Sequence, residues 1–206
     1  LTEKMDLYYF CGSMQQGFFF VPIEGDPLYM VRRNLKRAQG ESAWNNILPL
    51  SSFKQLPLYL KEYSGREIKK IGLELDVLPV NLYQRLQKLF PGIIFQDISL
   101  ALREIRMIKS SYEVSFLRQA AEYSADVFRQ IPGMLQIGKP EIVLSTEIET
   151  LYRRKGHQGI LRMRSFYAEM YLGHVYSGAN GCLGTFLDSC SGCQGVTSAC
   201  PQGAGL

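Results

Sequence analysis

The chain holds two histidines, His157 and His174, so a histidine-rich metal site or a Ser-His-Asp triad has few members to draw on. His174 is the candidate catalytic residue. It lies in Gly173-His174-Val175-Tyr176-Ser177-Gly178-Ala179-Asn180, where a strand running into a glycine-rich turn would present a side chain to a cleft. No carboxylate is paired with it by spacing, and an ordinary polar residue at a strand end accounts for the same pattern. His157 follows Gly156 and reads as a capping or loop residue. Cys182, Cys190, Cys193 and Cys200 crowd the end of the chain, while Cys11 stands alone. Four thiolates would satisfy a tetrahedral zinc ion, yet only one C-x-x-C is present and the outer cysteines stand unpaired, unlike a zinc ribbon with two such knuckles. An odd cysteine count without a secretion signal argues against a disulfide framework. Arg32, Arg33, Lys36 and Arg37 could grip phosphate, but few aromatics accompany them, and a solvated helix face explains them with less.

The elements that would position these residues fall into two parts. Gly17–Val21 and Pro27–Val31, separated by Glu24-Gly25-Asp26, predict a β-hairpin. Apolar stretches at 47–50, 71–75 and 93–98 then alternate with helical patterns at 53–63 and 80–90, which argues for an α/β domain. The pattern changes near Arg103. Ser110-Ser111-Tyr112-Glu113 is a capping box, so a long helix should start there, with Val114, Leu117, Ala121, Ala125, Phe128 and Ile131 on one face and Pro132-Gly133 at its end. A second helix should run from Pro140 to about Lys155, its closing cations complementing the helix dipole. A strand is expected around Leu172–Tyr176.

A hydrophobic content of 46% is enough to bury one large core or two small ones and excludes a disordered or fibrous chain. A net charge of +4 selects neither nucleic acid nor an anionic membrane as partner. No apolar stretch is long enough to span a bilayer, and we expect a cytoplasmic protein. The start at Leu1 and the glycine-rich close at 201–206 lead us to expect a piece of a longer polypeptide.

Three stretches resemble the creatinase, aminopeptidase P and prolidase family. Asp6-Leu7-Tyr8-Tyr9-Phe10-Cys11-Gly12 is similar to an N-L-Y-Y-L-T-G-type segment near the start of that family's N-terminal domain. Leu102-Arg103-Glu104-Ile105-Arg106-Met107-Ile108-Lys109-Ser110-Ser111-Tyr112-Glu113-Val114 resembles the R-x-I-K-S-x-x-E-I junction between its two domains. Ser177-Gly178-Ala179-Asn180 is similar to the S-G-x-N turn that precedes its first metal-ligand strand. The resemblance implies a creatinase-type N-terminal α/β domain with a mixed sheet over residues 1–108. Residues 109–206 would then form the incomplete start of a pita-bread α+β catalytic domain, ending before the metal ligands. It implies hydrolysis of the peptide bond preceding proline by the intact protein, with a proline-containing peptide as substrate. It also implies two divalent metal ions (Mn, Co or Zn), none of them ligated within this chain, and a homodimer. Asp188 and Glu169 are not ligands on this reading, since no aspartate here precedes Thr-Arg. The family usually carries a histidine five positions after the S-G-x-N asparagine, where this chain has Thr185, and threonine cannot do imidazole proton chemistry. Either His174 takes part of that role, or this branch works with altered specificity or is not a standard prolidase. The alternative function is that of a non-catalytic relative acting as a peptide-binding or assembly module. A zinc-bearing interaction domain built on the four cysteines is a third alternative.

Overall fold

Helix α1 (Lys4–Cys11) begins where the Glu3 carboxylate accepts the backbone N–H groups of Met5 and Asp6, and it ends at Gly12, whose φ of 74° permits the left-handed cap. It opens a computed structural model that describes residues 1–166, 169–173, 175–182, 193–197 and 200–203. The chain divides into two units, Leu1–Ile108 with Met163–Ala168, and Lys109–Arg162 with Glu169–Leu206.

In the first unit β1 (Gly17–Phe20) and β2 (Leu28–Val31) pair antiparallel, as the turn residues between them predict. Gly17 is required by close approach, because a Cβ there would meet the Met30 carbonyl oxygen at 2.1 Å. Helix α2 (Leu35–Glu41) then crosses over to β3 (Ile47–Pro49), which lies parallel to β2. A single 3-10 turn at Phe53–Gln55 leads into α3 (Leu56–Tyr63). The strand β4 (Lys70–Leu73), the helix α4 (Val80–Leu89) and the strand β5 (Ile94–Asp97) form a parallel crossover unit, followed by α5 (Ser99–Met107). The strands form a three-stranded sheet β1-β2-β3 and a two-stranded sheet β4-β5, so parallel and antiparallel pairings are mixed.

All four residues of β2 are buried, which places a layer on each side of it. Successive side chains point to opposite faces. Tyr29 and Val31 pack with Leu7, Cys11 and Ala38, on the side of α1 and α2. Leu28 and Met30 pack with Leu56, Leu60 and Leu86, on the side of α3 and α4. Each leucine, valine or methionine among them, fully buried, contributes about 1.5–3 kcal/mol.

The second unit starts with the predicted capping box: the Ser110 hydroxyl accepts the Glu113 N–H, and Glu113 Oε2 accepts the Ser110 N–H at 2.8 Å. Helix α6 (Ser111–Gln130) follows, then a 3-10 turn at Ile131–Met134 and α7 (Glu141–Arg154), capped by Pro140 rather than containing it. Lys155 ties the two helices through Asp126 at 2.9 Å and lies 5.0 Å from the Tyr123 ring centroid. The predicted apolar face of α6 is not the packed one. Val127 is 0% exposed, whereas Leu117 and Phe128 are 56% and 65% exposed, because among the described residues no layer covers their side of the helix. Beyond α7, β6 (Ile160–Arg162) pairs antiparallel with β7 (Glu169–Tyr171). The strand expected around 172–176 therefore lies earlier, and Gly173, with φ of 108°, stands beyond its end. A short helix α8 (Gly178–Gly181) and the antiparallel pair β8 (Cys193–Thr197) and β9 (Cys200–Gly203) complete the described elements.

Candidate functional site

Helix α1 carries an aspartate on its buried face. Asp6 is 0% exposed, and an ionised carboxylate so placed is tolerated only with charged partners. Arg106 of α5 supplies one, its Nη1 donating to Asp6 Oδ1 at 3.1 Å. Arg164, which belongs to the first unit although it follows β6, supplies the other through Nε to Oδ2 at 2.5 Å. The far side of the Arg164 fork meets Asp76, with Nη1 on Oδ2 at 2.5 Å and Nη2 on Oδ1 at 2.8 Å. This bidentate pairing is the strongest geometry open to a guanidinium and a carboxylate. Arg103 adds a third contact to Asp76 at 2.7 Å. Arg106 also lies over the Tyr9 ring, 5.0 Å from its centroid.

Charge follows geometry. The Arg164 guanidinium, helped by Ser99 and Arg103, holds the Asp76 carboxyl well below the usual carboxylate range. Arg164 is raised in turn, chiefly by Asp76 and then by Asp6. Glu74, 2% exposed, shifts the other way. Burial pushes its carboxyl up and the neighbouring Asp6 adds to the rise, against the lowering effect of the amino terminus and of the Thr2 N–H, which Oε2 accepts at 2.9 Å. Its Oε1 is buried and has no hydrogen-bond partner among the described residues. Each of the three guanidinium groups is committed to a carboxylate, so the cluster is built to brace α1, α5 and two loops rather than to act on a substrate.

Two of the three motif stretches meet here, since Asp6 belongs to the Asp6–Gly12 segment and Arg106 to the junction segment. The third contacts a different residue: Ser177 gives its N–H and its hydroxyl to Glu141 Oε1, at 2.5 and 2.7 Å, at the start of α7. His174 and Thr185 lie outside the described residues, as do Asp188 and Cys190. His157 is a loop residue whose Nδ1 accepts the Gly159 N–H at 2.8 Å. Among the described residues no three histidine, cysteine, aspartate or glutamate side chains gather as a metal set. The described residues do not fit a two-metal centre, and Asp6 and Asp76 spend their oxygens on arginines. The basic run is distributed likewise: Arg37 pairs with Glu41 at 2.6 Å, and Arg32 lies 5.2 Å from the Phe53 ring centroid. Spacing did not point to Glu74, Asp76 or Arg164, although Asp6 and Arg106 stood inside stretches already singled out.

Residues 1–108 match the family profile of the creatinase/prolidase N-terminal domain. The chain belongs to that family. Among curated proteins it is similar to the Xaa-Pro dipeptidase of Pyrococcus horikoshii, 24% identical over 158 residues that cover 76% of this chain and 43% of the relative. Among solved structures it is similar to the Xaa-Pro dipeptidase of Bacillus anthracis, with a TM-score of 0.68 and 21% identity over 78% of this chain and 46% of that one. An X-Pro aminopeptidase of Thermotoga maritima gives a TM-score of 0.65 at 20% identity, over 77% of this chain and 45% of that one. The fold is thus the α/β fold of these pita-bread proteins in their N-terminal part, and the creatinase/prolidase chain spans less than half the length of each relative.

Proposed function

We propose that this chain is the N-terminal portion of an Xaa-Pro peptidase, prolidase or aminopeptidase P-like, that hydrolyses the peptide bond preceding proline. The observation that carries the reading is the family match over residues 1–108 together with relatives that are Xaa-Pro dipeptidases. Two divalent metal ions, Mn, Co or Zn, would be held by polypeptide outside these residues, where they would supply an activated water to the scissile carbonyl. The part played by the present residues is structural. The Asp6–Arg106–Arg164–Asp76 brace joins the two quoted stretches and, within the first unit, holds Arg164 to α1 and to the loop between β4 and α4. A homodimer, a cytoplasmic location and participation of His174 at the substrate belong to the same reading.

The test is hydrolysis of Xaa-Pro dipeptides by the 206-residue chain and by a version continued past Leu206, each with and without a chelator. Chelator-sensitive turnover by the longer protein alone supports the reading. Peptide binding by the longer protein without turnover would make it an assembly or peptide-binding module instead. Unchanged turnover in a His174→Ala variant of the active form would remove that histidine from the mechanism.

A further inference from the structure

Two arginines outside the Asp6–Asp76 brace meet on one aromatic ring. Phe53 is a core residue, 9% exposed, packed with Leu28 and Met30 of β2 and with Leu86 of α4. The Phe18 ring meets it edge to face at 5.5 Å. Arg85 of α4 holds its guanidinium carbon 3.7 Å from the Phe53 centroid, a distance at which a planar cation stacks on the ring. Arg32, the first residue after β2, holds its own at 5.2 Å. The two guanidinium carbons are therefore separated by no more than 3.7 plus 5.2 Å, which is 8.9 Å.

Stacking uses the face of a guanidinium and leaves the N–H groups in its plane free. Among the described residues neither Arg32 nor Arg85 makes an ion pair or a side-chain hydrogen bond. Arg37, Arg103, Arg106 and Arg164, by contrast, each lie on a carboxylate. Residues 28–40, 42–61 and 77–96, which supply β2, the Phe53 turn and α4, contain no aspartate or glutamate. Glu41, between the first two stretches, is committed to the Ser13 hydroxyl and to Arg37, both at 2.6 Å. Two cations so close repel each other unless an anion joins them. A solvated helix face accounts for Arg33 and Lys36, but it gives no reason for two guanidinium groups to settle on a core phenylalanine. Side chains held in this way have already lost rotamer freedom, which lowers the entropic cost of gripping a ligand.

The position in the sheet agrees. β2 and β3 run parallel, with Val31 opposite Pro49, so Arg32 and residues 51–53 leave the sheet at the same carboxyl end. Ligands of open α/β sheets bind outside that end.

The donors select the anion. A carboxylate has one charge and two oxygens, and a single guanidinium fork satisfies it. Two forks present two positive charges and paired N–H donors in two planes. A phosphate monoester carries nearly two negative charges at neutral pH on three acceptor oxygens, which matches both. We infer that Arg32 and Arg85, supported by the Phe53 ring, form a binding site for a phosphate group, free or in a small monoester. Lys54, exposed beside Phe53, adds positive potential. The site is distinct from the proposed peptide hydrolysis and requires none of its metals.

The experiment titrates the 206-residue chain with glycerol 3-phosphate, with inorganic phosphate and with acetate at constant ionic strength, following the arginine Nε–H signals by nitrogen-15 NMR. Glycerol 3-phosphate or inorganic phosphate is expected to shift the Arg32 and Arg85 signals with a Kd of about 1 mM or tighter. The tighter of the two tells whether the ester or the free ion is the better ligand. Acetate should bind about 10-fold or more weakly. Arg32→Ala and Arg85→Ala should each weaken phosphate binding about 10-fold or more. Arg85→Lys, which keeps the charge and loses the fork, should also weaken it. Arg33→Ala and Lys88→Ala remove the same charge from neighbouring positions and should change binding by less than about 2-fold. Equal binding of acetate and phosphate would overturn the inference, as would unshifted Arg32 and Arg85 signals. Equal losses in Arg33→Ala, Lys88→Ala and Arg85→Ala would do so too, since the surface would then be diffusely basic with no built site.

Discussion

Replacing Arg164 with alanine should be the most damaging single change among the charged residues of this chain. Its side chain is 6% exposed and serves Asp6, at 0%, and Asp76, at 22%. Removing one partner of a buried ion pair costs about 3–5 kcal/mol, because the charge left behind stays desolvated. Arg106 still holds Asp6 and Arg103 still holds Asp76, which places the loss at the lower end, about 3 kcal/mol. That is about a 150-fold fall in the ratio of folded to unfolded protein, or a Tm lowered by about 6–12 °C for a chain of this length. Acidity supplies the control. Asp76 is depressed in the folded state below its ordinary value of 3.8, so its contribution is complete above that value and is lost as pH falls through the depressed one. The gap between wild type and Arg164→Ala should therefore be widest at neutral pH and narrow below about pH 4. Arg164→Lys keeps the charge without the fork and should fall between the two. Urea melts from about pH 7 down to about pH 2.5 measure this. A neutral-pH loss under about 1 kcal/mol, the level of an exposed pair, would refute the reasoning, as would a gap that does not change with pH.

Glu74 has the opposite sign. Its folded-state carboxyl is raised by burial, so the wild type loses stability as pH climbs from the ordinary glutamate range through the raised value. Glu74→Gln should abolish that decline and be at least as stable at neutral pH, and a less stable variant there would contradict the assignment. Ser110→Ala removes the hydroxyl that accepts the Glu113 N–H and should cost about 1 kcal/mol, read from the urea midpoint of helical circular dichroism; an unmoved midpoint would show the cap to be dispensable. Cys11 is 2% exposed with its thiol pushed up to about 12 by burial. Iodoacetamide followed by peptide mass spectrometry should label it about 100-fold or more slowly than the exposed Cys182, and comparable rates would mean that the α1 region opens readily.

The parts of the fold that were legible in the sequence are those written in neighbouring residues. The Glu24-Gly25-Asp26 turn between two aromatic stretches specifies the β1–β2 hairpin, because turn chemistry and two-residue alternation act within a few positions. The Ser110–Glu113 box marks the first turn of α6 for the same reason. Helix α1 was equally local, with Glu3 at its start and Gly12 at its end, but its tyrosines and phenylalanine blur the helical period. The packed face of α6 differs from the one its apolar spacing predicts, because periodicity gives a face and not the layer that covers it.

By itself the sequence determined the family, through stretches that can be read without knowing what they touch, and it determined most of the local elements. Only the tertiary structure decided which charges meet. Asp6 finds Arg164 across 158 positions and Arg106 across 100, and no local rule selects those arginines over others, since the choice follows from which loops the packed layers bring together.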